Sequence, residues 1–260
     1  MNIVCCIKQV PAAEECHFDH EKGTLIREGL DTEINPYDLF ALEAAVRLKE
    51  ACEGRVTVIS MGPPQAEEAL RDAISRGADH GILLSDPAFA GSDTLATSYI
   101  LAKAVETMEE WDMVLCGKQT TDGDTAQVGP GLSVRLGCPC ITCVTAIDPL
   151  KGGRLIVTRR LEEGEYSVEV APPLVLTVEM GAFGPRVPSL KGKMRARKTE
   201  IPVYTRDNIA VDEQKIGLPG SPTRVESTYV PEFKGVHEFI TGSTQEQVAA
   251  IMKIFKETGV

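Results

Sequence analysis

Five short, nearly continuous apolar runs, at 3–7, 56–61, 81–84, 113–116 and 141–144, constrain this chain more than any other feature. A run that is apolar throughout, and not only at every second position, marks a strand covered on both faces, as in parallel sheets. Between the runs the apolar residues switch to helical spacing: Leu39, Leu42 and Val46, then Ala66, Ala69, Leu70 and Ala73, then Leu95, Tyr99 and Ala102. This alternation predicts an α/β fold: a doubly wound, mostly parallel, Rossmann-like sheet with helices on both faces.

Past Val144 the pattern changes. Segments 155–158, 167–170 and 174–178 read as β, with turns at Lys151-Gly152-Gly153 and Glu162-Glu163-Gly164. Charged residues alternate with apolar ones there, which fits a half-exposed hairpin added at one sheet edge. From Arg186 to Lys198 come six basic residues and no acid: Arg186, Lys191, Lys193, Arg195, Arg197 and Lys198. From 200 to 242 prolines recur (Pro202, Pro219, Pro222, Pro231) without a sustained period, as expected of an extended arm lying on another chain. The arm ends in a helix: Ser243 and Glu246 form a capping box, Val248, Ile251, Met252 and Phe255 an apolar stripe, and Gly259 closes it.

Composition narrows the function classes. The chain has 260 residues, and 27 Lys+Arg against 38 Asp+Glu leave a net charge of −11, which argues against binding nucleic acid or an anionic membrane. No run approaches the roughly 18 apolar residues of a membrane span. The first residues read as a core strand and not as a signal peptide. Eight cysteines in a chain of this size suit small apolar packers in a reducing cytoplasm better than a disulfide framework. Cys5 and Cys6, adjacent in a strand, must point to opposite faces. Cys16-His17 with His20, and Cys138-Pro139-Cys140 with Cys143, lack the further ligands a closed metal site needs, so no metal is expected.

In an open α/β sheet, ligands bind beyond the carboxyl ends of the strands. Three segments are expected there: 8–10, the Gly62-Pro63 turn, and 117–129. The last reads Gly117-Lys118-Gln119-Thr120-Thr121-Asp122-Gly123-Asp124-Thr125-Ala126-Gln127-Val128-Gly129 and opens into a helix through Leu136. Small residues leave its amides accessible, and amides at a helix start favour an anion such as phosphate. Asp122 and Asp124 oppose this by repulsion; they suit helix capping or a ribose hydroxyl, and a plain polar loop with two capping acids accounts for the stretch equally well. Asn35-Pro36-Tyr37-Asp38 marks a second helix start, with Asn35 as N-cap, Pro36 at the first position and Asp38 in the first turn. Neither Gly-rich phosphate motif, GxGxxG or GxxxxGK followed by Ser or Thr, occurs, and no GxSxG elbow points to a hydrolase.

Taken together, several of these segments resemble the β subunit of the electron-transfer flavoproteins over nearly the whole chain. The match runs through 3–8, Ile34 to Asp38 with the following 41–49, Ser60-Met61-Gly62-Pro63, Gly77-Ala78-Asp79, Gly117-Lys118-Gln119, and the basic segment with Leu190, Met194, Ala196 and Lys198. The resemblance implies an adenine-nucleotide-binding domain over 1–199 that includes a recognition loop at 186–198. It also implies an arm and helix over 200–260 that dock on an α subunit carrying an electron-transferring FAD. The matching nucleotide-site positions are Cys6, Asn35 to Asp38, Met61 and Gly117 to Val128.

Ordinary members hold a structural AMP there. The stretch from Asp122 to Pro130 departs from their acidic loop and resembles the bifurcating members, in which FAD replaces AMP and accepts a hydride from NADH. On that comparison the amides of 124–128 hold phosphate, and Gln119, Thr120 and Thr121 face the flavin. Gly123 and Ala126 make room, and no residue of this chain acts as acid or base. Electrons would pass to ferredoxin and, through the α-subunit FAD, to an acyl-CoA dehydrogenase type partner. Leu190, Lys191, Lys193, Met194 and Arg195 would recognise that partner. Two alternatives remain at this point: the AMP-containing electron shuttle, and a stand-alone adenine-nucleotide-binding regulatory protein.

Overall fold

The computed structural model describes residues 1–12, 18–19, 24–25, 32–150, 152–224 and 239–258. In chain order the first half contains β1 (Asn2–Cys6), β2 (Gln9–Pro11), β3 (Phe18–Asp19), β4 (Thr24–Leu25), β5 (Thr32–Ile34), α1 (Pro36–Cys52), β6 (Arg55–Met61), α2 (Glu67–Ser75), β7 (His80–Leu84), α3 (Thr94–Glu106) and β8 (Met113–Gly117). There follow α4 (Val128–Leu136), β9 (Cys140–Pro149), β10 (Leu155–Leu161), β11 (Gly164–Val170), β12 (Leu174–Val178), α5 (Leu190–Lys198), β13 (Val203–Tyr204) and α6 (Thr244–Thr258). Nine strands form one sheet in the order β11-β10-β9-β12-β8-β1-β6-β7-β13. From β9 to β13 every neighbouring pair is parallel, while β10 and β11 add antiparallel strands at one edge. The expected doubly wound α/β sheet with an added hairpin is therefore present.

Both faces are covered. One carries α1 and α2 over Ile3, Cys5, Val56, Val58 and Leu115; the other carries α3 and α4 over Val4, Cys6, Ile59, Val114 and Cys116. Cys5 and Cys6 thus face opposite sides, as strand geometry requires. Strands covered twice need apolar side chains at every position, which is why the continuous runs mark them.

Three expectations need correction. Segment 174–178, read with the peripheral hairpin, is β12, a wholly buried strand between β8 and β9; its sequence, Leu-Val-Leu-Thr-Val, is that of an interior strand. The basic segment is not a loop over its whole length. Ser189 caps α5 by accepting from the Gly192 N–H at 2.9 Å, and cations crowd the last turn, where they complement the negative end of the helix dipole. The stretch after 199 does not leave the domain at once either. The first compact unit runs Met1–Glu226: β13 pairs with β7, and Ile209 and Ile216 are buried against the α3 face. Asp93, the N-cap of α3, also receives the Thr223 N–H at 3.0 Å. Hydrophobic burial at scattered positions leaves no period to read.

The second unit, Ser227–Val260, contains α6. Its capping box is formed, Ser243 N–H donating to Glu246 Oε2 at 2.8 Å, and Val248 and Met252 of its apolar stripe are exposed. Gly259, Cys16, His17 and His20 lie outside the described residues.

Candidate functional site

The chain leaves β1 toward β6 and β7 on one side, then returns with β8 on the other, so the order reverses between β1 and β8. A crevice opens beyond the carboxyl ends of two such strands. Asp38, in the first turn of α1, fills its base. One carboxylate oxygen accepts the Lys8 N–H at 2.8 Å and the other the Gly117 N–H at 3.0 Å, so a single side chain ties both strand ends together. Gly117 is required by this approach: a Cβ there would lie 2.5 Å from Asp38 Oδ1 and 2.7 Å from the Tyr37 carbonyl carbon. Burial pushes the Asp38 carboxyl up to about 7, against the pull of the Lys8 N–H, the Asn35 amide and the Gly117 N–H. Burial, with Asp38 adding to it, pushes the Cys6 thiol to about 12, which leaves it a packing group without nucleophilic character.

Asn35 occupies the N-cap position but its side chain does not cap α1. Fully buried, it reaches across to the 117–128 loop, where Nδ2 donates to the Gln119 carbonyl at 2.9 Å and Oδ1 accepts the Thr121 N–H at 3.2 Å. Pro36 takes the first helical position as expected. Tyr37 adds a further tie, its hydroxyl accepting from Gln119 Nε2 at 3.3 Å. The start of α1 thus holds the loop more than it presents a surface of its own.

The two acids of the loop are both engaged. Asp122 pairs with Lys8 at 2.5 Å; partial burial works to raise its pKa, but the Lys8 ammonium brings it below the usual carboxylate range. Asp124 receives a hydrogen bond from Gln119 Nε2. Neither caps α4, whose N-cap, Gln127, makes no side-chain cap bond. This corrects the capping alternative, and the Lys8 ammonium offsets the charge of Asp122, whereas Asp124 has only a neutral hydrogen-bond partner.

The Asp124 N–H is committed to the Thr120 carbonyl at 2.9 Å, which withdraws it from the amides expected to hold phosphate. Among the described residues, the N–H groups of Thr125, Ala126, Gln127 and Val128 have no acceptor. Asp124 and Ala126 hold positive φ, 49° and 55°. Alternating left- and right-handed residues ahead of a helix aim successive N–H groups into one concavity, and such strain collects at binding sites. A Cβ at Gly123 would meet only Thr120 Oγ1, at 3.3 Å, so the space over the loop is open. At the other end Gly129 packs α4 directly on the sheet, a Cβ there lying 2.2 Å from Thr177 Cγ2. Unpaired amides, an uncapped helix start and open space over Gly123 fit a phosphate-bearing nucleotide.

Met61 ends β6 and, like Val128, packs beside the α3 face. Lys118 is turned aside to Glu179 at 3.0 Å. Segment 8–10 was expected at this rim, but the pairing of Lys8 with Asp122 depends on the fold, and Glu179 carried no local signal as a site residue. A cavity of about 450 Å³ lies at the opposite rim of the sheet, lined by Asn2, Arg55, His80 and Pro202 among others.

On α5, Leu190 is 78% exposed and Met194 55%. Arg195 is spent on the Ile74 and Ala78 carbonyls at 2.7 and 2.8 Å, and Arg186 pairs with buried Glu43 and with Glu50. These two cations therefore anchor α5 and its approach, leaving Lys191 and Lys193 as the exposed charges beside Leu190. Gly192 allows the contact with α2: a Cβ would fall 2.0 Å from the Ser75 carbonyl oxygen.

Comparison with known proteins agrees with this architecture. The electron transfer flavoprotein domain model matches residues 22–208. An electron transfer flavoprotein subunit beta of Thermoanaerobacterium thermosaccharolyticum is 46% identical over 254 residues, covering 97% of each chain. The caffeyl-CoA reductase-Etf complex subunit CarD of Acetobacterium woodii is 42% identical over 250 residues, covering 96% of this chain and 95% of CarD. Protein FixA of Azorhizobium caulinodans is 42% identical over 265 residues, covering 98% of this chain and 94% of its own. No described helix is long and apolar enough to cross a membrane. With a family model spanning most of the chain and relatives at this identity, the chain belongs to the electron transfer flavoprotein family as a β subunit.

Proposed function

We propose that this β subunit works in a bifurcating electron-transfer flavoprotein, with FAD and not AMP at the 117–128 site. The observation that carries the reading is the run of four unpaired N–H groups from Thr125 to Val128, beside Asp122, whose charge Lys8 offsets, and Asp124, which accepts a hydrogen bond from Gln119. An adenosine diphosphate moiety brings two phosphates where AMP brings one, and such a loop suits the larger charge. When bound, FAD supplies hydride acceptance from NADH and single-electron delivery to a ferredoxin-type acceptor and, through the α-subunit FAD, to an acyl-CoA dehydrogenase type partner.

The residues of this chain bind and position. Asn35 and Asp38 hold the loop against the strand ends, Gly117 admits that contact, and Gly123 leaves space for the ligand. Cys6, Met61, Pro36 and Tyr37 wall the crevice. Leu190 and Met194, with Lys191 and Lys193, form the recognition surface for the dehydrogenase, while 227–260 docks on the α subunit. The name of the CarD relative, which pairs an Etf with a CoA-thioester reductase, supports the choice of partner.

Nucleotide extraction from the purified heterodimer tests the reading. Two FAD per heterodimer are expected; one FAD with one AMP assigns the protein to the non-bifurcating shuttles. A β chain that purifies alone, monodisperse and without flavin, returns it to the regulatory class.

A further inference from the structure

The helix that begins at the nucleotide loop carries a charged stripe further along. Glu43, Arg47 and Glu50 of α1 stand at i, i+4 and i+7, which share one face over two turns, about 10 Å along the axis. That face ties down the connection between β12 and α5, which contains no helix or strand of its own. Arg47 donates from Nη2 to the Gly184 carbonyl at 3.4 Å and lies 6.0 Å from the centre of the Phe183 ring. Arg186 is held through side chain and backbone alike. Its guanidinium reaches Glu43 at 2.8 Å and Glu50 at 2.6 Å, its N–H donates to Glu43 Oε2 at 3.2 Å, and its carbonyl accepts from Arg76 at 2.9 Å.

Glu43 is the costly member of the stripe. Its side chain is buried, and Arg47 and Arg186 both donate to it, at 2.7 and 2.8 Å. Burial works to raise its pKa, yet the hydrogen bonds from Arg186 and Arg47 bring it below the usual carboxylate range. A buried pair of this kind is a weak source of stability, since apolar packing of the same volume serves as well. What it adds here is a fixed place for Arg186. The need for it lies in α5, where Ala196 alone is buried while Val187, just before the helix, and Leu190 and Met194 within it are exposed. With so little apolar contact the helix depends on polar ties. At its far end Arg195 donates to the Ile74 and Ala78 carbonyls, and Arg71 to the Ala196 carbonyl. At its near end the tie is Arg186, three residues ahead of the cap Ser189.

We propose that Glu43, seconded by Glu50, is a positioning residue for docking of the dehydrogenase: by clamping Arg186 it fixes where α5 begins, and so where Leu190 stands on the surface. The assignment rests on the reading of α5 as the recognition surface. A Leu190 held in place beforehand spares the partner the cost of ordering it on binding. The planar guanidinium suits the task, since its fork meets two carboxylates at once and sets direction as well as distance. Helix α1 then serves both ends of the protein's work. Asn35 at its start holds the 117–128 loop, and Glu43, about two turns on, holds the approach to α5.

The test is a double-mutant cycle on binding of a butyryl-CoA dehydrogenase to the immobilised heterodimer, for wild type, Glu43→Gln, Leu190→Ala and the two combined. Glu50→Gln, at a half-exposed position, is run through the same cycle and decides the matter should Glu43→Gln fail to fold. Expected is an affinity lowered about fivefold or more by Glu43→Gln and about threefold by Glu50→Gln, with less than about twofold further loss from either once Leu190 is gone. Flavin content stays that of wild type. Mixing the photoreduced heterodimer with rising dehydrogenase concentrations should show the same factor in the half-saturating concentration, with a limiting rate within about twofold. Wild-type binding by both glutamine variants, or losses that persist in full without Leu190, overturn the clamp while leaving the recognition surface in place. Leu190→Ala that binds like wild type, or a wild type that does not bind the dehydrogenase, overturns the surface and the clamp together.

Discussion

Removing the Asn35 amide is the sharpest probe of how the loop is held. Asn35 is fully buried and makes two neutral hydrogen bonds to the loop, at 2.9 and 3.2 Å. Each contributes about 0.5–1.5 kcal/mol net, so Asn35→Ala weakens loop docking by about 1–3 kcal/mol. Solvent reaching the exposed Thr121 keeps the loss from the larger penalty of a sealed orphan group. At 1.4 kcal/mol per tenfold, docking weakens about 5- to 150-fold. The cost then falls on nucleotide binding, which must order a loop that Asn35 had pre-ordered. Hydrogen exchange in the heterodimer reads the effect directly: the Thr121 amide should exchange faster by that factor, and bound nucleotide should dissociate faster to a similar extent. If both rates match wild type, the clamp is incidental and the argument from α1 to the loop fails.

Gly123→Ala should fold and retain nucleotide normally, since its Cβ meets only Thr120 Oγ1 at 3.3 Å, whereas Gly123→Glu should lose β-site FAD through charge and bulk; equal retention in both would misplace the ligand. Leu190→Ala should leave flavin content intact and slow electron transfer to the dehydrogenase, because burying one leucine contributes roughly 1.5–3 kcal/mol; stopped-flow reduction of the dehydrogenase at an unchanged rate would refute the anchor. Asp38 titrates about 7 in the folded chain against 3.8 free. A raised carboxyl contributes stability that is present below pH 4, is lost as pH rises toward 7, and is flat above it. Relative to Asp38→Asn, wild type should therefore lose up to about 4 kcal/mol across the whole window, of which about 3 kcal/mol falls between denaturant midpoints read at pH 5 and 8. A pH-independent difference would show that Asp38 is ionised throughout.

Much of the fold is legible in the string of residues because burial on both faces of a parallel strand leaves a local mark. The runs at 3–7, 56–61 and 113–116 each became interior strands, and Asn35-Pro36 did begin a helix. Segment 174–178 carries the same apolar mark, but its neighbours in sequence are exposed hairpin strands, and only strand pairing reveals that it returns to the centre. Ile209 and Ile216 have no period at all, because a segment packed irregularly against a finished core answers to that core's shape and not to a repeat.

The candidate site divides in the same way. Residue order alone determined that 117–128 is a small, polar loop opening a helix beyond a strand, since glycine, alanine and strand-end position are local facts. Only the tertiary structure decided what its acids do, because Lys8 comes from a strand end far away in sequence and arrives beside Asp122 through the crossover between β1 and β8.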